Sequence, residues 1–378
     1  METVDRRQLL LARFQRQDLH RAPRELGPAE PALLDLGVQD TGPDGAPWAL
    51  EVRGAAPADE DDLAYAWTLR GAPHAYRRSE SAAVAVATAA LSEADAAKRV
   101  FDASKPLRAA GIPVLEALAT VAEHQRDIVR RPTVKGELST QLTARVDEPY
   151  LRWCRPCQAT HLYEQPFRLA ALQAGLELEA GTSPPVLRRI PGLRPNLLRR
   201  LGTEAEPRFD VVRNHLRFAP GLRRRDVVAA LESTAKDVAA RWPRDVVEVA
   251  VAGEDPGPRA EPRHVLAEDL DAVRAAAPTG ALRLLGPYDP YLQLRDRELL
   301  VPDEARRKDL WRVLGRPGAV VEDGEVVGTW RAQTKGGRLT VTVEPWGRWP
   351  KARRAAVEDQ AARLAAHRHL PLAAVTTP

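Results

Sequence analysis

The sequence predicts an α+β protein made of tandem winged-helix (helix-turn-helix) units followed by a β-rich C-terminal domain. Helical apolar spacing gives way to a hairpin pattern within the first 80 residues, helical patterns return over 93–176 and 209–238, and β alternation takes over from Asp245. At 378 residues the chain exceeds one ordinary core, so two to four compact units are expected. Hydrophobic residues at 44% and charged residues at 29% describe a folded, soluble composition. The net charge of +4 suits nucleic acid, but abundant arginine and alanine beside scarce lysine point to base composition as part of the cause.

The first unit is assigned to residues 1–80. Leu9, Leu10, Ala12, Arg13 and Phe14 recur at helical spacing over 6–17, and a second helix is expected from Ala29 to Leu36, ending at Gly37. Asp44 is a suitable N-cap for a third helix through Trp48, Leu50 and Val52, with Pro47 in the first turn where a missing N–H does no harm. Two strands, Leu63 to Arg70 and His74 to Arg78, then flank the Gly71-Ala72-Pro73 turn. A winged helix lays its third helix in the major groove and its hairpin against backbone or minor groove, which makes Arg70, His74, Arg77 and Arg78 the predicted DNA-binding residues here. For Arg70 and His74 a solvated hairpin is the alternative, and Arg77 and Arg78 suit phosphate or water better than a base edge.

A second winged-helix unit is assigned to 81–180. It has helical pattern from Glu93 to Arg131 broken at Gly111 and Pro113, a helix near Thr133 to Val146, a strand or wing over Tyr150 to His161 and a short helix over Phe167 to Leu176. Pro184, Pro185, Pro191 and Pro195, with arginines at 188, 189, 194, 199 and 200, predict an irregular basic connector over 181–207. A third helical unit over 208–244 places Arg223, Arg224 and Arg225 where a helix begins, suited to phosphate contact or solvation. In the domain over 245–378 the turns Glu322-Asp323-Gly324 and Lys335-Gly336-Gly337 separate antiparallel strands, and a helix over 350–367 closes the chain.

The start Met1 to Arg7 lacks the basic-then-apolar layout of a secretory signal and no apolar run is long enough for a membrane span, so a cytoplasmic protein is expected. Dinucleotide, Walker, His-Glu-x-x-His and Gly-x-Ser-x-Gly motifs are all missing from the sequence. Cys154, Cys157 and His161 form a Cys-x-x-Cys-x-x-x-His set with three ligand types and no fourth nearby; His215 or His264 would have to be recruited by folding. The expectation is thiols without metal and a protein without cofactor, with structural zinc as the alternative.

The stretch Leu33 to Thr41 stands apart. An apolar segment stops at a glycine and presents Gln39, Asp40 and Thr41, which serve either as an ordinary cap and turn or as a site. It is similar to the Gln-x-Gln or Gln-x-Asp site of a bacterial winged-helix DNA-binding family that includes the interstrand-crosslink repair DNA glycosylases, departing from it at Thr41. Trp67-Thr68-Leu69-Arg70-Gly71-Ala72-Pro73-His74, Gly286 to Leu292 with Arg295-Asp296-Arg297, and Val326 to Arg331 also resemble that family in order, so the resemblance spans nearly the whole chain. It implies a monomer on double-stranded DNA that hydrolyses the N-glycosidic bond of bulky or crosslinked N7-alkylated purines. Gln39 would hold the water and Thr41 would assist, with Asp40 in reserve if a turn swings it inward.

Glutamine cannot ionise, so such a site suits only a leaving group that is already cationic. The alternative is a noncatalytic DNA-binding protein, a regulator or lesion binder. The Arg295-Asp296-Arg297 cluster is expected to order a loop through its own ion pairs, with DNA contact as the alternative.

Overall fold

The computed structural model describes residues 2–193, 205–254 and 261–377. The architecture is mixed α+β, with four sheets among the described residues. Helix Arg6–Arg16 follows the short first strand Glu2–Val4; the Gln8 side chain accepts the Asp5 N–H at 3.0 Å, which satisfies a donor at its exposed first turn. Leu9, Leu10 and Phe14 on its inner face enter the largest core, together with Leu284, Val320 and Val341 of the C-terminal sheet.

The helix expected over Ala29 to Leu36 is reduced to one 3-10 turn, Ala32–Asp35, because Pro31 disfavours helical backbone at Glu30 before it and Gly37 ends it at φ +99°. A Cβ at Gly37 would lie 2.5 Å from the Tyr76 hydroxyl, so glycine there also admits the ring. The chain then forms the short strand Val38–Gln39, with Gln39 opposite His74. The third helix, Gly45–Glu51, follows Asp44 as expected.

The hairpin Leu63–Trp67 with Pro73–Arg77 is present. It stands inside a six-stranded sheet ordered Val38–Gln39, Pro73–Arg77, Leu63–Trp67, Leu176–Leu178, Val186–Arg189, Thr133–Val134. The two halves meet where Tyr65 pairs with Leu178, so sequence from both 1–80 and 81–180 builds one sheet. Val186–Arg189 is a regular strand inside the stretch expected to be irregular, since the residues after Pro185 carry their N–H groups and alternate faces. Arg194, Pro195, Arg199 and Arg200 lie outside the described residues.

Helices Val114–Ile128 and Glu164–Gln173 pack with Lys135–Thr143 around a second core containing Val121, Leu138 and Phe167. Between the last two, Leu151–Cys154 and Ala159–Leu162 pair only with each other. Helices Val211–Phe218, Arg224–Leu231 and Ala235–Ala240 lead into strands Val246–Val251 and Arg263–Leu266, and the first of these strands also pairs in parallel with Glu2–Val4.

A five-stranded sheet ordered Leu282–Leu285, Gly318–Glu322, Glu325–Lys335, Arg338–Pro345, Leu372–Thr376 forms the C-terminal part. Helix Lys351–His367 adds Val357, Ala361 and Leu364 to its core. Buried bidentate ion pairs fasten this part to the N-terminal segment: Arg53 to Asp289 at 2.8 Å and Arg13 to Asp296 at 2.6 Å. No helix among the described residues is long and apolar enough to cross a membrane.

Candidate active site and DNA-facing groove

Gln39 and Thr41 are two residues apart on extended backbone, so their side chains fall on the same side. The Gln39 amide nitrogen donates to the Thr41 hydroxyl oxygen at 3.1 Å, and the Gln39 carbonyl oxygen accepts from the Arg70 guanidinium at 3.0 Å. A second Arg70 nitrogen donates to the Ala230 carbonyl at 2.8 Å and so ties the site to helix Arg224–Leu231. Arg70 sits at φ +58°, a conformation uncommon for a residue with a Cβ and one that clusters at functional positions. Burial lowers its pKa to about 10, and the nearby positive charge of Arg295 adds to the shift.

Gln39, Arg70 and Ala230 line a cavity of about 50 Å³ walled also by Gln17, His74, His215 and Gln293, whereas Thr41 faces an adjoining smaller space that Gln39 also lines. It has room for water but not for a nucleobase. Burial pushes the His74 pKa down to about 3 and that of His215 down to about 4. Nδ1 of each lies beside a carbonyl, Ala72 O at 2.9 Å and Val211 O at 2.6 Å. Each ring is therefore a neutral Nδ1–H tautomer near neutral pH, assigned from these contacts. The Gln293 amide nitrogen is buried without a hydrogen-bond partner among the described residues.

Among the described residues no carboxylate lines this cavity. Asp40, the reserve candidate, faces the other way: its carboxylate accepts the Ala46 N–H at 2.8 Å at the start of helix Gly45–Glu51, and burial raises its pKa. The turn that would swing it inward does not form, because the adjacent helix start supplies a backbone donor for it. The smaller space that Thr41 lines together with Gln39 touches Asp44 and Asp289, and Arg368 and Arg53 already pair with those carboxylates.

The four predicted wing residues do not form an exposed cationic hairpin. Arg70 and His74 belong to the cavity. Arg77 pairs with Asp35 at 2.5 Å and Glu80 at 3.1 Å, and Arg78 donates to Glu177 at 2.9 Å. The reason is topological: strands lie on both sides of this hairpin, so its arginines reach internal carboxylates before they reach solvent.

An open basic groove of about 770 Å³ lies elsewhere, walled by Arg223, Arg225, Arg295, Arg297, Arg307 and Lys308, with Asp226 and Glu304 among its acidic members. Arg223 is thus placed where cations gather, whereas Arg224 stacks 5.0 Å from the Trp242 ring. The Arg295-Asp296-Arg297 cluster differs from expectation: Asp296 turns inward to Arg13 at 2.6 Å and Arg263 at 3.3 Å, which leaves both flanking arginines on the groove. The same segment supplies Pro290, Gln293 and Leu294 to the cavity, so one chain stretch separates cavity from groove.

Sequence reasoning missed Arg307, Lys308 and the two cavity residues His215 and Gln293. Only Arg307 and Lys308 carried a local signal, two adjacent cations on a helix capped by Asp303. Cys154 and Cys157 are half-buried and exposed, not packed, and His215 and His264 are both remote from them, against the cavity and the Trp242 ring respectively.

Comparison with known proteins gives a consistent picture. No curated protein matches the chain. Among solved structures, the DNA glycosylase AlkZ of Streptomyces sahachiroi has a similar fold, at TM-score 0.71 and 22% identity, over 100% of both chains. The family described as DNA glycosylase AlkZ-like matches residues 33–367, which takes in Gln39, Arg70 and the groove. The chain belongs to the AlkZ-like DNA glycosylase family.

Proposed function

We propose that this protein hydrolyses the N-glycosidic bond of bulky or crosslinked N7-alkylated purines in double-stranded DNA, acting as a monomer. The observation that carries this reading is the hydrogen-bonded Gln39, Thr41 and Arg70 cluster, with Gln39 and Arg70 on a small cavity that has no carboxylate among its described lining residues and Thr41 on the space beside it. Gln39 keeps one free lone pair and one free N–H after its two protein contacts, and the Thr41 oxygen keeps a lone pair and its own proton. A water that donates one hydrogen to each oxygen points its lone pair outward at an approaching sugar carbon.

An N7-alkylpurine is cationic and departs with the glycosidic electron pair as a neutral base. The water oxygen bonds C1′ and its proton passes to solvent. No ionisable base is required, and an unmodified purine, lacking the positive charge, is spared. The 50 Å³ cavity supports attack without a base-sized pocket, so the lesion's bulk remains outside.

The order of elements supports three winged-helix units. Each has a helix, a short strand or bridge, two further helical segments and a hairpin: the first through Arg6–Arg16 to Pro73–Arg77, the second through Val114–Ile128 to Val186–Arg189, the third through Val211–Phe218 to Arg263–Leu266. The basic groove beside the cavity is the proposed phosphate track, with Arg223, Arg295 and Arg297 as contacts. Arg77, Arg78 and Arg224 act in folding and are not assigned to DNA.

A noncatalytic lesion binder is the second reading, favoured by one observation: the Gln39 amide is held at both ends within the protein. Single-turnover base release from duplexes carrying a bulky N7-alkylguanine, its interstrand crosslink or plain guanine separates the two. Release from the alkylated duplexes alone establishes the enzyme; tight binding without release from any establishes the binder.

A further inference from the structure

We propose that Cys154, Cys157 and His161 form a zinc site at the tip of the Leu151–Leu162 hairpin, with two thiolates and one imidazole as ligands and solvent in the fourth position. Their three ligand atoms lie within 4.8 Å of one another, the one such cluster of His, Cys, Asp or Glu that includes thiols among the described residues. Zinc sits at ~2.0 to 2.3 Å from nitrogen and sulfur ligands, so small side-chain rotations close the set around one ion.

Three further observations point to a ligand. His161 Nδ1 lies 2.8 Å from the Leu162 carbonyl, which fixes the ring as the Nδ1–H tautomer and leaves Nε2 with its lone pair for a metal. Metal-bound histidines are commonly oriented in this way, by the other ring nitrogen donating to a carbonyl. The tip between the strands is a tight turn with Gln158 at φ +51°, closed by the Gln158 amide donating to the Arg155 carbonyl at 2.6 Å. It holds the two cysteines on the same end.

Beyond its base, where the second strand meets helix Lys135–Thr143, the hairpin has no strand neighbour among the described residues. Its strands have four residues each and pair only with each other. Leu162 is buried at the base, whereas Arg152, Arg155, Pro156 and Cys157 are exposed and Trp153 is 60% exposed. The helix steadies the base and leaves the exposed tip held by its own pairing, and a metal is one way small elements acquire a staple. Binding replaces two thiol protons, released to solvent, by one dication, so the ligand set with its ion is neutral between two arginines.

The test uses the full chain, reduced, stripped with a chelator and checked for two free thiols, then titrated with zinc against a chromogenic competitor and with cobalt followed by absorption. One equivalent of zinc, and a thiolate-to-cobalt charge-transfer band with tetrahedral d–d bands, are expected. Cys154→Ser with Cys157→Ser abolishes both, and His161→Ala weakens zinc roughly tenfold or more. Hydrogen exchange over 151–162 slows when zinc is added to the parent and not to the double variant, whose unchanged far-UV spectrum shows that it is folded. No stoichiometric uptake by the reduced chain, or uptake that persists in the double variant, overturns the proposal.

Discussion

The two hairpins of the N-terminal half have similar sequence chemistry and opposite fates. Leu63–Trp67 with Pro73–Arg77 carries arginines near its turn and at its end, and so does Leu151–Cys154 with Ala159–Leu162. The first lies between other strands of a six-stranded sheet, and its cations fold inward to Gln39, Asp35 and Glu177. The second pairs only with itself, and Arg152 and Arg155 stay in water. What a basic hairpin does is therefore decided by whether its edges are occupied.

The sharpest way to break this comparison is to remove the carboxylate that receives the first hairpin. Asp35 is 4% exposed and meets Arg77, Arg208 and Arg217. Asp35→Ala is expected to cost about 2 to 3 kcal/mol of stability in urea unfolding, because it removes a buried carboxylate that accepts charged hydrogen bonds from all three arginines. A change within the range of ordinary surface substitutions would show that these arginines are merely solvated.

Next in size is Arg70→Ala. It removes a charged hydrogen bond from Gln39, worth about 2 kcal/mol or roughly 30-fold in single-turnover base release. Far-UV circular dichroism should be unchanged.

The groove provides a third contrast. Arg295→Ala with Arg297→Ala should flatten the dependence of log DNA affinity on log salt by roughly 0.9 for each phosphate that is no longer neutralised. Arg224→Ala, whose guanidinium stacks on Trp242, should leave that slope unchanged.

Two pH dependences follow from the buried groups. The histidines stay neutral well below neutral pH and Gln39 and Thr41 do not titrate, so base release should be level from about pH 6 to 9 and fall as Arg70 deprotonates near about 10. Stability behaves differently. His74 and His215 have folded pKa values of about 3 and about 4, below the ordinary 6.5, so the unfolded chain binds their protons first. The stabilisation that comes from keeping them neutral is complete above about 6.5 and is lost as pH falls toward 4 and then 3. Urea midpoints at pH 7 and pH 5 measure it, and equal midpoints would contradict the burial of the two rings. The smallest effect belongs to the second hairpin: Trp153→Ala should shift stability by no more than about 0.5 kcal/mol.

Much of this architecture was legible in the sequence. Periodicity places helix Arg6–Arg16, the helix after Asp44 and the strands around Gly324, because local spacing and turn chemistry determine them. Resemblance drew attention to Gln39 as a candidate, and its hydrogen bond to Thr41 accords with the two-residue repeat of extended chain.

What stayed hidden depends on contacts across the sequence. Nothing near Arg70 announces that its partner is Gln39 or that the Ala230 carbonyl, 160 residues away, holds its other nitrogen. Asp296 reads as the natural partner of its neighbours Arg295 and Arg297, yet Arg13 and Arg263 claim it, and only that exchange frees the pair for the groove. Asp40 looked available because the Ala46 N–H that occupies it is set by a turn the residue types do not specify.

The most direct test of the Gln39 chemistry is the single-turnover rate of base release from an N7-alkylguanine duplex for Gln39→Ala and Thr41→Val beside the parent. A drop of about 10²- to 10³-fold is expected for Gln39→Ala, of the size seen when a group that stabilises the transition state is deleted. Thr41→Val should show a smaller drop, and both variants should keep the parent's DNA affinity. Base release by the parent that survives intact in Gln39→Ala would contradict this, and would move the chemistry to some other part of the molecule.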